Sequence, residues 1–412
     1  MKKKILVKGP VLSQSGYGEQ ARFALRALKS REDIFEIFVL PVPWGKTGWI
    51  WEESEFRTWM DERITLTQVL HQRKELSPDI SLQVTIPNEF QKIAPINIGY
   101  TAGIETNKCA VQWLPKCNDM DKVLVVSNHS KNSMVNVVTQ ATNRQTGETF
   151  PYKIDKPVSV VWENTTRAEP RPIEKINLKH DFNFLLVSQI SPRKNFENTI
   201  RWFVEEFIDQ EVGLVVKTNL LCNSIIDWEH LYKRVEQLLS NYEDRKCSVY
   251  LLHGDLSSSQ MTWLYNHDKI KNIVNIAHGE GFGLPMFEAA REALPVTTIG
   301  WSGQLDFLVH EGEKLFNEVD YSLRPVQPEA VWNGVIDKDS MWAFADQGSF
   351  KMAIRKAYKK HDKLKEQAVK LQEINATKFS DEVLFENFCK EIYNPSEEEL
   401  EWMDTLKEVT LS

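Results

Sequence analysis

Between His278 and Ala290 the chain reads HGEGFGLPMFEAA. Glycines stand at positions 279, 281 and 283, a proline at 285, and two glutamates, Glu280 and Glu288, lie eight residues apart. Residues without side chains let a ligand approach the backbone closely. A helix opening near Pro285, where proline suits the first turn, aims its free N–H groups at the same place. Amides of that kind receive phosphate, but two acids would repel it. Carboxylates suit hydroxyls instead, since each accepts two hydrogen bonds from a vicinal diol. One acid on the loop and one within the helix would grip two sugars on either side of a diphosphate, which is the layout of a nucleotide sugar. A tight strand-to-helix turn with two solvated acids fits the same spacing. The dinucleotide fingerprint does not fit, because it needs glycine where Leu284 stands. A P-loop does not fit either, because its Lys-Ser/Thr pair is missing.

Such a loop must be held by a strand that ends at it and a helix that leaves it. Strand-like runs occur at 4–7, 34–40, 80–86, 96–100, 123–126 and 158–162. Over 19–29, Ala21, Ala24, Leu25 and Leu28 fall at helical spacing. A second alternation has strands at 182–188, 214–218, 248–252, 273–277 and 296–299. Its first helix, 195–208, puts Phe196, Ile200, Phe203, Val204, Phe207 and Ile208 on one face. Alternation of strand and helix predicts parallel sheets covered by helices. Residues 139–157 are polar without period and read as a surface excursion. Residues 163–181, with two prolines and many charges, read as a linker. Beyond Ser340 the chain reads as helical almost to its end. The expectation is two α/β domains, a linker and a helical tail.

A length of 412 residues suits two or three domains, and 42% hydrophobic with 26% charged residues is a globular composition. The net charge of −8 argues against holding nucleic acid or anionic membrane through the overall field, although a local basic cleft is compatible with it. The N-terminal apolar run, Ile5 to Val7, is too short for a secretory signal. No stretch reaches the ~18 apolar residues of a spanning helix. A cytoplasmic protein is expected. The five cysteines are scattered, and Cys109 and Cys117 lack a metal-ligand spacing, so reduced thiols are expected. Without a secretion signal, Asn164-Thr165-Thr166 reads as a chance glycosylation match.

The block EGFGLPMFEAAREALPV resembles the E-x7-E signature of family-4 glycosyltransferases, which have the two-domain GT-B fold. It matches from Glu280 through Pro285, then at Glu288, Ala289, Pro295 and Val296. It departs at Ala293, where the family usually has glycine, a change expected to be minor. LLVSQISPRKNFENTI resembles the family's strand, basic-pair-Asn turn and helix. KGPVLSQSGYGEQARFALRAL resembles its N-terminal glycine loop and first helix. IGYTAGIETNKCAVQWLPKCNDMDKVLVVSNHSKNSM resembles an N-domain stretch of one subgroup. Together these cover nearly the whole chain.

The resemblance implies two Rossmann-like domains facing across a cleft. Residues 1–165 would form the acceptor domain, completed by a C-terminal helix at about 380–412 that crosses back to it. Residues 166–379 would form the donor domain. It implies retaining, metal-independent transfer from a nucleotide-diphosphate sugar, UDP- or GDP-linked, with no cofactor. By family role, Glu280 contacts donor-sugar hydroxyls and Glu288 the ribose, while Arg193 and Lys194 neutralise the diphosphate beside the helix dipole. Amides of Gly281, Phe282, Gly283 and Leu284 would lie near phosphates and sugar, with Gly16 and Gly18 approaching from the other domain. The N-domain histidine common in the family is missing from NIGYTAGIETN. Glu105 is the candidate for that sector, with a solvated loop acid as the alternative. His129 reads as structural or surface, His253 as a cleft-side residue after a strand with a functional role left open, and His278 as a neighbour of the motif. On the acceptor side, Trp44, Trp49, Trp51 and Trp59 fall within sixteen residues. Gly45 and Gly48 place Trp44 and Trp49 on a loop, where they would stack on a sugar; packing indoles is the alternative. The expected acceptor is a glycan, a cell-envelope precursor or another polymer. Further readings are transfer to a modified DNA base, as in some viral enzymes, and a donor-binding protein without transfer. An epimerase or phosphorylase of the same fold is a third.

Overall fold

Apolar runs without alternation suit strands covered on both faces, and here they pair in parallel. The structure, a computed structural model, describes residues 2–51, 53–174, 176–220, 223–396 and 399. The first half contains β1 (Lys3–Gly9), α1 (Gly16–Lys29), β2 (Phe35–Pro41), α2 (Glu55–Gln72), β3 (Ile80–Val84) and β4 (Ile96–Thr101). It continues through α3 (Trp113–Asn118), β5 (Lys122–Val125), α4 (Asn128–Val135), β6 (Thr139–Thr142), β7 (Thr149–Tyr152) and β8 (Val158–Val160). Its six-stranded parallel sheet has the order β2-β1-β3-β4-β5-β8.

The second half contains β9 (Asn183–Val187), α5 (Phe196–Phe207), β10 (Gly213–Thr218), α6 (Ile225–Leu239), β11 (Ser248–His253), α7 (Ser258–Tyr265) and β12 (Ile270–Asn275). Next come α8 (Leu284–Arg291), β13 (Val296–Ile299), α9 (Leu305–Leu308), the pair β14 (Val309–His310) and β15 (Glu313–Lys314), and β16 (Asn317–Val319). This sheet is also parallel and six-stranded, in the order β11-β10-β9-β12-β13-β16. Strand order reverses between β9 and β12, and ligands of open α/β sheets bind beyond the strand ends at such a point.

Parts of the chain differ from the sequence reading. Residues 139–157 lie at the surface as expected but are not without structure: they contain the antiparallel β6–β7 pair, in which the alternating Phe150 and Tyr152 favour strand. Met341–Ala345 is not helical. It forms β18, antiparallel to β17 (Tyr321–Pro325), with Trp342 and Ala343 fully buried. The loop between these strands reaches the first domain, where Trp113 Nε1 and Asn88 Nδ2 donate to the Gly334 carbonyl at 3.1 and 2.9 Å.

The chain ends in α10 (Gln347–Lys359), α11 (His361–Lys378) and α12 (Asp381–Ile392). The last of these crosses back to the first domain. Phe388 meets Phe23 and Tyr100 at 5.6 and 5.4 Å between ring centroids, and Cys389 Sγ donates to the Ala27 carbonyl. Residues 400–412 of the expected crossing tail lie outside the described residues. The four described cysteines, Cys109, Cys117, Cys247 and Cys389, are buried and free. Among the described residues no helix is long and apolar enough to cross a membrane.

Ala293 and Glu163 each carry a cost to the folded state. Ala293 follows α8 with φ +51°, a left-handed conformation that disfavours a Cβ, so the departure from glycine there is not neutral. Ala293→Gly is expected to stabilise the protein by about 1 kcal/mol in denaturant titration. Glu163, where the chain first leaves the N-terminal sheet, is 4% exposed, and its Oε2 has no hydrogen-bond partner. Burial, then the Glu19 charge, push its carboxyl up to about 8 against the pull of Arg26. A raised carboxyl binds its proton more tightly in the folded state. Stability from it is therefore full below about pH 4.5 and is lost as pH rises through about 8. Glu163→Gln is expected to leave the melting temperature unchanged at pH 5 and to raise stability at pH 9, by on the order of 2 kcal/mol.

Candidate functional site

The basic turn is built at the end of β9. Pro192–Lys194 forms one 3-10 turn, and Asn195 then takes φ +50° before α5 begins. Asparagine tolerates that conformation, and its Nδ2 donates to the Ile276 carbonyl at 3.2 Å. The His278 N–H donates to the Arg193 carbonyl at 2.8 Å. Turn and glycine loop are thus tied together at the switch point.

These ties bring Glu280 against both cations. Lys194 Nζ donates to Glu280 Oε1 and Oε2 at 2.6 and 2.9 Å, and Arg193 Nη1 to Oε2 at 2.9 Å. Asn275 Nδ2 adds a bond to Oε1 at 3.1 Å. Burial alone would raise this carboxyl. Lys194 and Arg193 reverse that, with the bonds from Lys194 and Asn275, and hold it at about 2. Arg193 also faces Glu105 of the other domain, Nη2 to Oε1, at 3.3 Å. Arg193, Lys194, Glu280 and Glu105 therefore form one cluster of two cations and two carboxylates spanning the domain boundary.

Gly283 takes φ +96° and opens α8, with Pro285 in the first turn. The backbone of Gly281 and Gly283 lines the loop. A Cβ on Gly281 would lie 2.8 Å from the Ala102 carbonyl, so the opposite domain presses directly on it. Ser127 Oγ donates to the Gly281 carbonyl at 2.6 Å. The Phe282 side chain turns away into an aromatic knot with Phe287, Phe307 and Phe379, while Leu284 stays half-buried at the helix start.

Glu288 sits one helical stretch further on, in a cleft of about 1300 Å³ between the domains. The buried Tyr265 hydroxyl donates to its Oε2 at 2.8 Å. Burial raises the Glu288 carboxyl despite Arg291 and Tyr265. Arg291 Nη1 in turn donates to the Thr165 carbonyl at 2.6 Å, fixing the linker along the cleft. The structure keeps the two glutamates apart: Glu280 in the ionic cluster, Glu288 in the open cleft.

Lys217, at the carboxyl end of β10, was not singled out by sequence. It is half-buried and within electrostatic reach of Asp255 and Glu288, and among the described residues its ammonium has no hydrogen-bond partner. The available signal was a lone cation closing an otherwise apolar strand. Tyr265 was missed because nothing local to it marks it.

On the facing domain, Ser15 caps α1, its Oγ accepting from the Gly18 N–H at 3.1 Å. Gly16 and Gly18 therefore lie in the first helical turn and not in a loop. Gly16 is open, whereas a Cβ on Gly18 would strike the Ser13 carbonyl at 2.0 Å. Trp44 packs on Tyr17 with centroids 4.3 Å apart, and the Tyr17 hydroxyl is bound by Thr101 and by the Ala102 N–H beside the glycine loop. Trp49 is 66% exposed on the same 44–50 segment, Trp51 lines the cleft, and Trp59 packs, its Nε1 bonded to Glu32.

Removing the Glu280 charge strands two buried cations. Glu280→Gln is expected to lower stability by about 3 kcal/mol at pH 7. Adding Lys194→Met to Glu280→Gln is expected to recover part of the loss. The depressed carboxyl contributes above about pH 4.5, and the contribution disappears as pH falls through about 2, so the variants should converge with the parent in acid. Denaturant titrations stepped from pH 7 down to pH 2 check both expectations, the difference narrowing over the last two pH units.

No family model matches the sequence, and no curated protein does. Solved structures do resemble it. HepE from Anabaena, in complex with UDP and glucose, aligns over 95% of this chain and 100% of its own, at 12% identity and a TM-score of 0.59. Sucrose-phosphate synthase from Thermosynechococcus elongatus covers 94% and 98%, at 13% identity and 0.63. The lipopolysaccharide outer core galactosyltransferase WaaB covers 95% and 99%, at 14% identity and 0.53. At such identities the likeness is one of architecture: two parallel six-stranded domains face across a cleft in the GT-B fold.

Proposed function

We propose that this chain is a retaining glycosyltransferase that moves a sugar from a UDP- or GDP-linked donor to an acceptor hydroxyl without a metal ion. Residues 1–165 with the returning helix act as the acceptor side, and 166–379 as the donor side. The observation that carries this reading is the junction of two unlike surroundings at the start of one short helix. The open cleft holds Glu288 beyond the first turn of α8, and the buried cluster holds Glu280 before it. A ribose on Glu288 and a sugar on Glu280 put the linking diphosphate at the α8 amides, where the helix dipole favours it. The HepE structure holds UDP and glucose on the same architecture, which supports this choice of ligand.

The ionic cluster is neutral as it stands, so an arriving diphosphate must gain cations. Lys217 supplies one. Arg193 supplies another if its contact with Glu105 gives way, being the longer of its two ion pairs and the one crossing the domain boundary. With the leaving charge met by these groups, the sugar–oxygen bond breaks and the acceptor oxygen attacks the same face. Its proton passes to the departing phosphate oxygen. The acceptor, a glycan or another hydroxyl-bearing polymer, docks on Trp44 against Tyr17.

The test is donor turnover by the purified protein across UDP- and GDP-sugars in EDTA, with the product anomer read by proton NMR. Turnover in EDTA with retained configuration is expected. Glu288→Ala is expected to reduce it on the order of 100-fold while leaving the chain folded. Inverted product, or full activity in Glu288→Ala, would sink the reading.

A further inference from the structure

The loop after β13, residues 300–304, runs along the glycine loop and touches it residue by residue. Trp301 stands against Gly279, where an added Cβ would come within 3.0 Å of the indole. The Glu280 N–H donates to Ser302 Oγ at 3.0 Å. The Gly303 N–H donates to the Glu280 carbonyl at 3.0 Å. A Cβ on Gly303 would sit 1.8 Å from the Gly281 carbonyl oxygen, and one on Gly283 would sit 3.3 Å from Gln304 Cβ.

Within this clamp Ser302 has φ +81°, a conformation that ordinarily selects glycine. Serine there needs a reason, and its side chain supplies one. Ser302 is 5% exposed, and its hydroxyl donates to Gln304 Oε1 at 2.7 Å. The Gln304 amide donates in turn to the Trp301 and Ile299 carbonyls at 2.7 and 3.3 Å, which fixes which end of the amide faces Ser302. With its hydrogen committed to Gln304, Oγ presents a lone pair to the Glu280 N–H. Glycine would relax the backbone but leave that amide without its acceptor.

We propose that Ser302 is a positioning residue of the donor site: its hydroxyl fixes the Glu280 backbone so that the carboxylate meets the donor sugar in one orientation. This rests on the reading of Glu280 as the sugar-binding carboxylate. Ser302 itself touches neither donor nor acceptor and acts through Glu280.

The test compares Ser302→Gly, Ser302→Ala and Glu280→Gln with the parent, by melting temperature, amide hydrogen exchange over 279–283 and donor turnover. Ser302→Gly is expected to melt at the parent's temperature or higher, to exchange the Glu280 region about tenfold faster, and to lose about tenfold in kcat. Ser302→Ala keeps the unfavourable φ without the acceptor, so it should melt lower and show the same low kcat. Parent-like exchange in Ser302→Gly overturns the proposal, and so does faster exchange with parent-like kcat. Exchange needs no substrate and decides the positioning claim even if no donor is turned over. If Glu280→Gln turns over donor like the parent, the reading of the site fails; if it is inactive while Ser302→Gly is fully active, only the Ser302 proposal fails.

Discussion

A carboxylate as buried as Glu280 persists only where its charge and its lone pairs are met. Lys194, Arg193 and Asn275 meet them from two places: two from the turn after β9, one from the end of β12. Those strands are neighbours at the point where the sheet order reverses. The ionic bonds therefore depend on the sheet, and the glycine loop depends on the ionic bonds. Glycine at 279, 281 and 283 follows from the crowding. The opposite domain and the 300–304 loop press on this backbone from two sides, with no room for a Cβ at Gly279, where the Glu105 carbonyl stands 2.2 Å from its place.

The same crowding shows how the domains are held together. Asp306 accepts from Asn128 and from Trp162 Nε1, the latter at 2.7 Å. The β17–β18 arm carries Gly334 to Trp113, and α12 returns to α1. Phe379, at the second crossing between domains, packs with Phe282 of the glycine loop, with Phe287 of α8 and with Trp162 of the first crossing. Both crossings thus converge beneath the loop. The Glu105–Arg193 pair adds an ionic contact across the same boundary.

Much of this was legible in the sequence because local signals and global fold agree. Apolar runs marked all six strands of the first sheet and five of the second, β16 being too short to stand out; Pro285 sits at a helix start, and the spacing of Glu280 and Glu288 set one acid on the loop and one in the helix. What escaped was long-range. Nothing in SPRKN says that Arg193 and Lys194 close on Glu280, 86 or 87 residues away, instead of pointing into an open site. Lys217, Tyr265 and Ser302 are ordinary residues in sequence, and only the fold places them. Met341–Ala345 looked helical because its neighbours are rich in helix formers, yet burial of Trp342 made it a strand. Gly16 and Gly18 looked like a loop because glycine is rare in helices, yet the Ser15 cap pulled both into the first turn.

The position of the diphosphate decides which residues meet the sugar, the ribose and the leaving charge. A crystal structure of the chain with a non-transferable nucleotide-sugar analogue measures that position directly. The account predicts ribose hydroxyls on Glu288, phosphate oxygens at the amides of Gly283 and Leu284 and within reach of Lys217, and sugar hydroxyls on Glu280, with Arg193 released from Glu105. Analogue bound away from α8, or with its phosphates remote from Lys217 and Arg193, would contradict it.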